Sequence, residues 1–371
     1  MKKNAARQSG VKGRKSKMAV LNNFSVPTDI ITDKSAKVKW TEKKEKNIEI
    51  SRRLLKLSAL AEDRAEILQR DGKDGDALTE RMRAETYRKR GWRMKECSRF
   101  INISVCPDCG RSIASSATLC RDRVCPTCAW RLSAKQSAEM VQALAFINDI
   151  EDYDALFLTL TVRNCDETQL SPTLEMMSKA WNKMLARSKN RRLIKGTARS
   201  VEVTYNAKAK TFHPHYHIIM LVEKDERTVS ELSSYFNKEW QTATNITYQP
   251  ITDLRRIENS TLLEYDKKDA EFYKKAILET FKYTIKDDSL ADMPLSSFRY
   301  YVDGIQGKRL VAYTGIIKEA RKQLDYNDEL EDETEALKCP DCNADMLSAI
   351  YEWSFSEKTY KRFEEKIKKP S

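Results

Sequence analysis

The three histidines of this 371-residue chain all fall within five residues, His213, His215 and His217, in the run Phe212-His-Pro-His-Tyr-His-Ile-Ile-Met220. A repeat of two is the period of a β-strand, so the imidazoles share one face while Tyr216, Ile218 and Met220 point into a core. Pro214 suits an edge position or the start of a strand. Two imidazoles on one strand make half of a divalent-metal site, because a neutral ring nitrogen ligates near pH 7. The hairpin partner supplies the rest. Ser200 to Tyr205 and Phe212 to Val222 read as strands joined by a turn centred between Lys208 and Ala209. That register sets Glu202 opposite His215 and on the same face. A carboxylate beside imidazoles favours Mg²⁺ or Mn²⁺ over a closed structural zinc. His213 is the rival third ligand.

A second constellation lies in Glu279-Thr-Phe-Lys-Tyr283-Thr-Ile-Lys286, where an acid, a phenol and an amine are spaced by four and three residues. On a helix all three project from nearly one face. A phenol ionises near pH ~10 and attacks poorly unless its electrophile is activated. A metal on phosphate oxygens gives that activation, and tyrosine attack on phosphorus leaves a phosphotyrosine that conserves the bond energy. Glu279 fits a base toward the phenol or water, and Lys286 fits a counter-charge to phosphate. Tyr273, about three turns earlier, is the alternative nucleophile.

The nine cysteines are grouped. Cys106-Pro-Asp-Cys109 and Cys125-Pro-Thr-Cys128 are two CxxC knuckles with a spacing suited to one tetrahedral Zn²⁺ site, in which Cys120 or Cys97 could replace a ligand. Cys339 and Cys342 give half a site. They are expected to pair with Cys97 and Cys120 across space, ahead of zinc in a dimer or inertness. Cys165 stands alone and reads as packed. The zinc would stabilise a small module and stay out of the chemistry.

The elements that must carry these groups alternate. Ala155 to Val162 reads as a strand and Pro172 to Ser188 as a helix, followed by the histidine hairpin. Helices are expected at about 229–242 and 269–286, with a strand near 246–254 between them. This predicts an α+β fold, an antiparallel sheet with helices on one face. Residues 1–40 read as a basic flexible arm and 41–96 as a charged helical accessory region with the apolar stripe Leu54, Leu55, Leu57, Leu60, Ile67 and Leu68. Residues 97–150 read as the cysteine-rich module and its helix, 151–324 as the catalytic domain, 325–336 as an acidic linker and 337–371 as a CxxC tail. The formal net charge of +12 points to a polyanionic partner, nucleic acid foremost. No run is long and apolar enough to span a membrane, and the basic start lacks a signal-peptide core, so a cytoplasmic location is expected.

Taken in order, Phe157-Leu-Thr-Leu-Thr161, His213-Pro-His-Tyr-His217 and Glu279-x3-Tyr283-x2-Lys286 resemble the three motifs of HUH endonucleases, nearest to the single-tyrosine plasmid rolling-circle Rep proteins. The run Cys120-x4-Cys125-Pro-Thr-Cys128-Ala-Trp-Arg131 and the stretch Gly304 to Arg309 are similar to segments of the same family. The resemblance covers roughly Cys97 to Leu324. It implies a ferredoxin-like sheet carrying the histidines, with Mn²⁺ or Mg²⁺ on His215 and His217. It further implies Tyr283 nicking the plus strand at a hairpin origin to leave a free 3′-OH, and Glu279 helping water release the enzyme at termination. Origin DNA, duplex and hairpin, is the implied partner, with host helicase and polymerase downstream. Two rivals share the site: a relaxase, in which the tyrosine usually precedes the histidines, and a single-strand transposase, which looks like a smaller, cysteine-poor chain. A non-catalytic zinc-containing DNA-binding regulator would leave the histidines idle.

Overall fold

The computed structural model describes residues 36–257 except 149, 151 and 225, together with 275–282, 287–326 and 338–363 except 340. Residues 1–35 of the basic arm and nearly all of the acidic linker lie outside the described residues, while 36–40, expected in the arm, are helical and bury Trp40.

Two long helices, α1 (Ala36–Arg70) and α2 (Asp74–Glu96), turn back on each other at Gly72, whose φ of +72° suits a residue without a side chain. Of the expected stripe, Leu54 and Leu57 are buried but Leu60 and Ile67 are about half exposed. The buried line instead continues through Ala61 and Ala65. Its small side chains let α2 approach, and Gly91 of α2 sits so close that a Cβ there would lie 2.9 Å from Leu55.

A four-stranded antiparallel sheet follows, in the order β10-β9-β1-β2. It joins β1 (Phe100–Val105) and β2 (Ser112–Ala117) to β9 (Leu347–Ser354) and β10 (Thr359–Arg362) of the chain's far end. The CxxC tail is therefore one structural unit with the cysteine region. Trp40, Ile101, Ile103, Trp130, Trp353 and Tyr360 form its own small core. Helix α3 (Pro126–Asn148) leads from this module to the larger sheet.

That sheet is ordered β7-β3-β6-β5-β8 and is antiparallel throughout, with β4 (Cys165–Asp166) against the end of β6. Its unit β3 (Asp154–Thr161), α4 (Leu170–Ala186), β5 (Ile194–Asn206), β6 (Thr211–Val222), α5 (Val229–Thr244) and β7 (Thr252–Ile257) has the βαββαβ order of a ferredoxin-like fold. A capping box between Thr228 and Glu231 starts α5. Helices α4 and α5 cover one face, where Leu156, Leu158, Leu160, Val201, Tyr216, Ile218 and Met220 are buried. With them packs α6 (Leu295–Gly304).

The expectation of helices on one face holds for this unit but not for the whole chain. Ala155, Phe157, Ala198, Ile219 and Leu221 point to the second face, which is closed by α3, α7 (Gly315–Gln323) and a helical segment at 275–280. β3 and β6 are apolar on both sides over this half, so both sides need cover. A buried Arg321–Glu139 pair at 2.6 Å joins α7 to α3 there. β8 (Val311–Thr314) adds an edge beyond β5. Toward the other end of the strands the second-face residues turn polar, as Thr159, Thr161, Ser200, Glu202, His215 and His217. The apolar cover stops there.

Candidate metal centre and cysteine clusters

The β5–β6 hairpin has the expected register, with Glu202 opposite His215 and Ser200 opposite His217. Asn206 sets the turn by accepting from the backbone N–H groups of Lys208 and Ala209, both at 3.1 Å. Period-two alternation then brings Glu202, His215 and His217 onto one surface, all three largely buried. Nε2 of each histidine lies 2.8 Å from the same carboxylate oxygen, Oε2 of Glu202.

Ring orientation is set by what the other nitrogens meet. A carbonyl oxygen only accepts, so Nδ1–H of His215 donates to the His213 carbonyl at 3.2 Å and Nε2 is the nitrogen left for ligation. Nδ1 of His217 is 3.3 Å from the Thr159 hydroxyl, and its ring stacks on Phe157. The three ligand atoms lie within 4.8 Å of one another. Two imidazoles and one carboxylate with their lone pairs converging form a donor set that fits a divalent cation with open positions. His213 is outside this set. Its ring is 5.4 Å from that of His215, and burial followed by repulsion from His215 lowers its pKa.

The segment carrying the tyrosine motif reaches this surface. Ala276, Ile277 and Phe281 are buried in the second-face core, and the Ser200 hydroxyl donates to the Thr280 carbonyl. These anchors bring Glu279 Oε1 to 3.6 Å from His217 Nε2 and Lys282 Nζ to 2.5 Å from Glu202 Oε2. Lys282 also pairs with Glu279. Burial would raise the Glu202 pKa, but its contacts with His215 and His217 and the charge of Lys282 outweigh it and hold the carboxyl well below its usual range. Burial would lower that of Lys282, and its two carboxylate partners raise it instead. Tyr283, Lys286 and Tyr273 lie outside the described residues. Lys282, Thr159 and Ser200 also border the cluster, and residue spacing does not point to them. Lys282 shares the motif with Glu279, but spacing alone did not single out which lysine meets a carboxylate on another strand.

The cysteines group differently from expectation. Cys106, Cys109, Cys125 and Cys128 do not converge, because they flank β2, whose six residues carry the chain roughly 20 Å. Each pair meets distant partners instead. Cys125 and Cys128 join Cys97 and Cys120, with sulfur separations of 3.5–3.7 Å. Cys106 and Cys109 join Cys339 and Cys342, at 3.4–3.8 Å. The tail thus pairs with the first knuckle, not with Cys97 and Cys120. Four sulfurs about 2.3 Å from a central ion would be about 3.8 Å apart, so both groups have zinc-sized geometry.

The second group is built from two like knuckles, Cys106-Pro-Asp-Cys109-Gly110 and Cys339-Pro-Asp-Cys342-Asn343. In each the residue after the second cysteine has positive φ, +74° and +60°, and its N–H bonds the carbonyl of the first cysteine. Beside the first group, Lys44 of α1 donates to the Lys95 and Cys97 carbonyls, which ties the N-terminal helix to the module. Cys165 is half buried and outside both clusters.

No helix among the described residues is long and apolar enough to cross a membrane. Comparison with known proteins gives a consistent result. A family described as replication protein, Rep_1, matches residues 112–361. "Protein rep" of Bacillus amyloliquefaciens is 31% identical over 274 residues, covering 68% of this chain and 78% of its own. "Protein rep" of a Bacillus species is 30% identical, covering 68% and 86%, and that of Streptococcus pneumoniae is 32% identical, covering 56% and 64%. No solved structure matches. With its histidine hairpin, its tyrosine-motif segment and its cysteine knuckles all inside or bordering the matched span, this chain belongs to the Rep_1 replication-protein family, the family of plasmid replication initiators.

Proposed function

We propose that the protein initiates rolling-circle replication by nicking the plus strand at its origin, with Tyr283 as the nucleophile. The observation that carries this reading is the docking of the 275–282 segment against the Glu202–His215–His217 cluster, which leaves Tyr283 one peptide bond beyond a lysine in contact with that cluster. Held by these three side chains, Mn²⁺ or Mg²⁺ would polarise the phosphoryl oxygens and so make phosphorus open to a weak nucleophile. The Tyr283 phenol gives up its proton as its oxygen bonds to phosphorus. The bond from phosphorus to the 3′ oxygen breaks, and that oxygen takes a proton to become a free 3′-OH. The new 5′ phosphate stays on Tyr283 as a phosphodiester, which stores the energy for rejoining.

Glu279, half exposed and at the edge of the cluster, suits the reverse demand: it takes a proton from water as the phosphotyrosine is hydrolysed at termination. Lys282, and Lys286 four residues later, offset phosphate charge. Host helicase and polymerase would extend from the 3′-OH, and the two cysteine groups would each hold a structural Zn²⁺. Origin duplex and hairpin are the expected substrates.

The test is to mix the protein with Mn²⁺ and single-stranded oligonucleotides tiling the replicon that encodes it. A protein–DNA species that survives denaturant is expected, and it should be absent with Tyr283→Phe while DNA binding persists. A zinc-containing regulator with no nicking activity would give no such species with any oligonucleotide.

A further inference from the structure

Arg199 is out of place electrostatically. It lies on β5 between strand positions that bury Glu202 on the second face, but it points the other way with Val201, toward α4. Only 4% of it is exposed, and its Nε and Nη1 have no hydrogen-bond partner. No carboxylate pairs with it among the described residues. Its guanidinium lies over the Tyr216 ring, 4.2 Å away. A guanidinium taken out of water without an anion is costly to a fold, and an anion bound beside it would relieve that cost.

The space beside it suits one. Arg199 lines a cavity of about 250 Å³, several times the volume of a water molecule (~30 Å³), between α4, β5 and the 307–310 loop. Lys179, Lys308 and Arg309 stand at its mouth. The one acid there, Glu175, is already engaged by Lys308. Burial, and then the positive charge of Arg309, lower the Arg199 pKa, which is how unneutralised neighbouring cations behave. The loop belongs to the Gly304–Arg309 stretch, which the nicking site does not use.

We propose that this cavity is a phosphoryl-binding site in which Arg199, with Lys179 and Arg309, receives one phosphate group, either from a nucleic-acid strand or from a free phosphate-bearing small molecule. Several cations around one opening match the several oxygens of a phosphate better than a single carboxylate, and guanidinium is the side chain best suited to it. The site is on the opposite face of the sheet from the histidine cluster. It is therefore separate from the chemistry.

The test uses the full chain and needs no nicking. Thermal melting is followed in sodium phosphate and in sodium chloride at matched ionic strength. Phosphate should raise the melting temperature by on the order of 2–4 °C over chloride. Arg199→Met should abolish that difference and melt no lower than wild type in chloride, since an unpaired buried charge is gone. If Arg199→Met does not fold, the exposed-rim pair Lys179→Gln and Arg309→Gln carries the test and should halve the phosphate effect or more.

Titrating a fluorescent single-stranded oligonucleotide across salt then separates the sources. If the phosphate is DNA's, Arg199→Met lowers the salt slope of log K by about 0.7 and phosphate competes. If it is a free ligand's, the slopes coincide while the melting shift persists. Either result upholds the site. Equal melting of wild type in phosphate and chloride, or an unchanged phosphate response in both variants, overturns it.

Discussion

In the cysteine module each candidate site is closed. Four sulfurs face one point, and of the first group every sulfur is buried among α1, α2 and α3. In the histidine cluster only three ligand atoms converge, at the edge of the apolar cover, and the half-exposed Glu279 and Lys282 lean in from a separate segment. The first arrangement would saturate an ion and fix distant pieces of chain. The second, on the proposed reading, would leave coordination positions open for a substrate oxygen, with acid and amine groups around them. On that reading the same chain separates holding from reacting by how completely it surrounds an ion.

The sharpest way to break this contrast is to disturb the closed sites. Cys125→Ser, in the group that links three helices, should unfold the module, a loss of several kcal/mol that aggregation or the absence of a cooperative melt would report. Cys342→Ser should leave the larger sheet folded but free β9 and β10 from β1, seen as rapid proteolysis of the C-terminal tail and as about one zinc fewer by elemental analysis. Wild type should carry about two.

At the open site the order of effects reverses, with chemistry lost and stability kept. Glu202→Gln should lower Mn²⁺-dependent nicking by about 10³-fold, as loss of one ligand in a three-ligand site implies, while the melting temperature moves by only a few degrees. Glu279→Ala should still form the covalent species but release it about 10²-fold more slowly, read by chasing a labelled adduct with water alone. The smallest change is expected from Thr159→Val, which removes the hydroxyl beside His217 Nδ1 and should weaken Mn²⁺ about 10-fold in a metal titration of nicking. If Thr159→Val instead unfolds the protein, the open site is structural and the contrast fails.

How much of this was legible in the sequence follows the range of the interactions involved. The hairpin register needed only a turn centre and a period of two, so Glu202 and His215 could be paired from spacing. The βαββαβ core followed from local patterns in the same way. The cysteine grouping could not be read, because partners for Cys106 and Cys109 come from more than 200 residues later and nothing local encodes which pairs meet. The matching Cys-Pro-Asp-Cys knuckles were a signal that proximity along the chain obscured. Lys282 was passed over for a comparable reason: helix spacing ranked Lys286 with the tyrosine, whereas contact with Glu202 depends on how Phe281 and Ser200 dock the segment. The second-face helices were hidden in the double apolar character of β3.

The most direct test of the central claim is to identify the residue that carries the DNA. After reaction with an origin oligonucleotide and Mn²⁺, tryptic digestion and mass spectrometry should find the nucleotide on the peptide Tyr283-Thr-Ile-Lys286, attached through the phenol. Attachment at Tyr273 or any other side chain would contradict the pairing of the histidine hairpin with Tyr283.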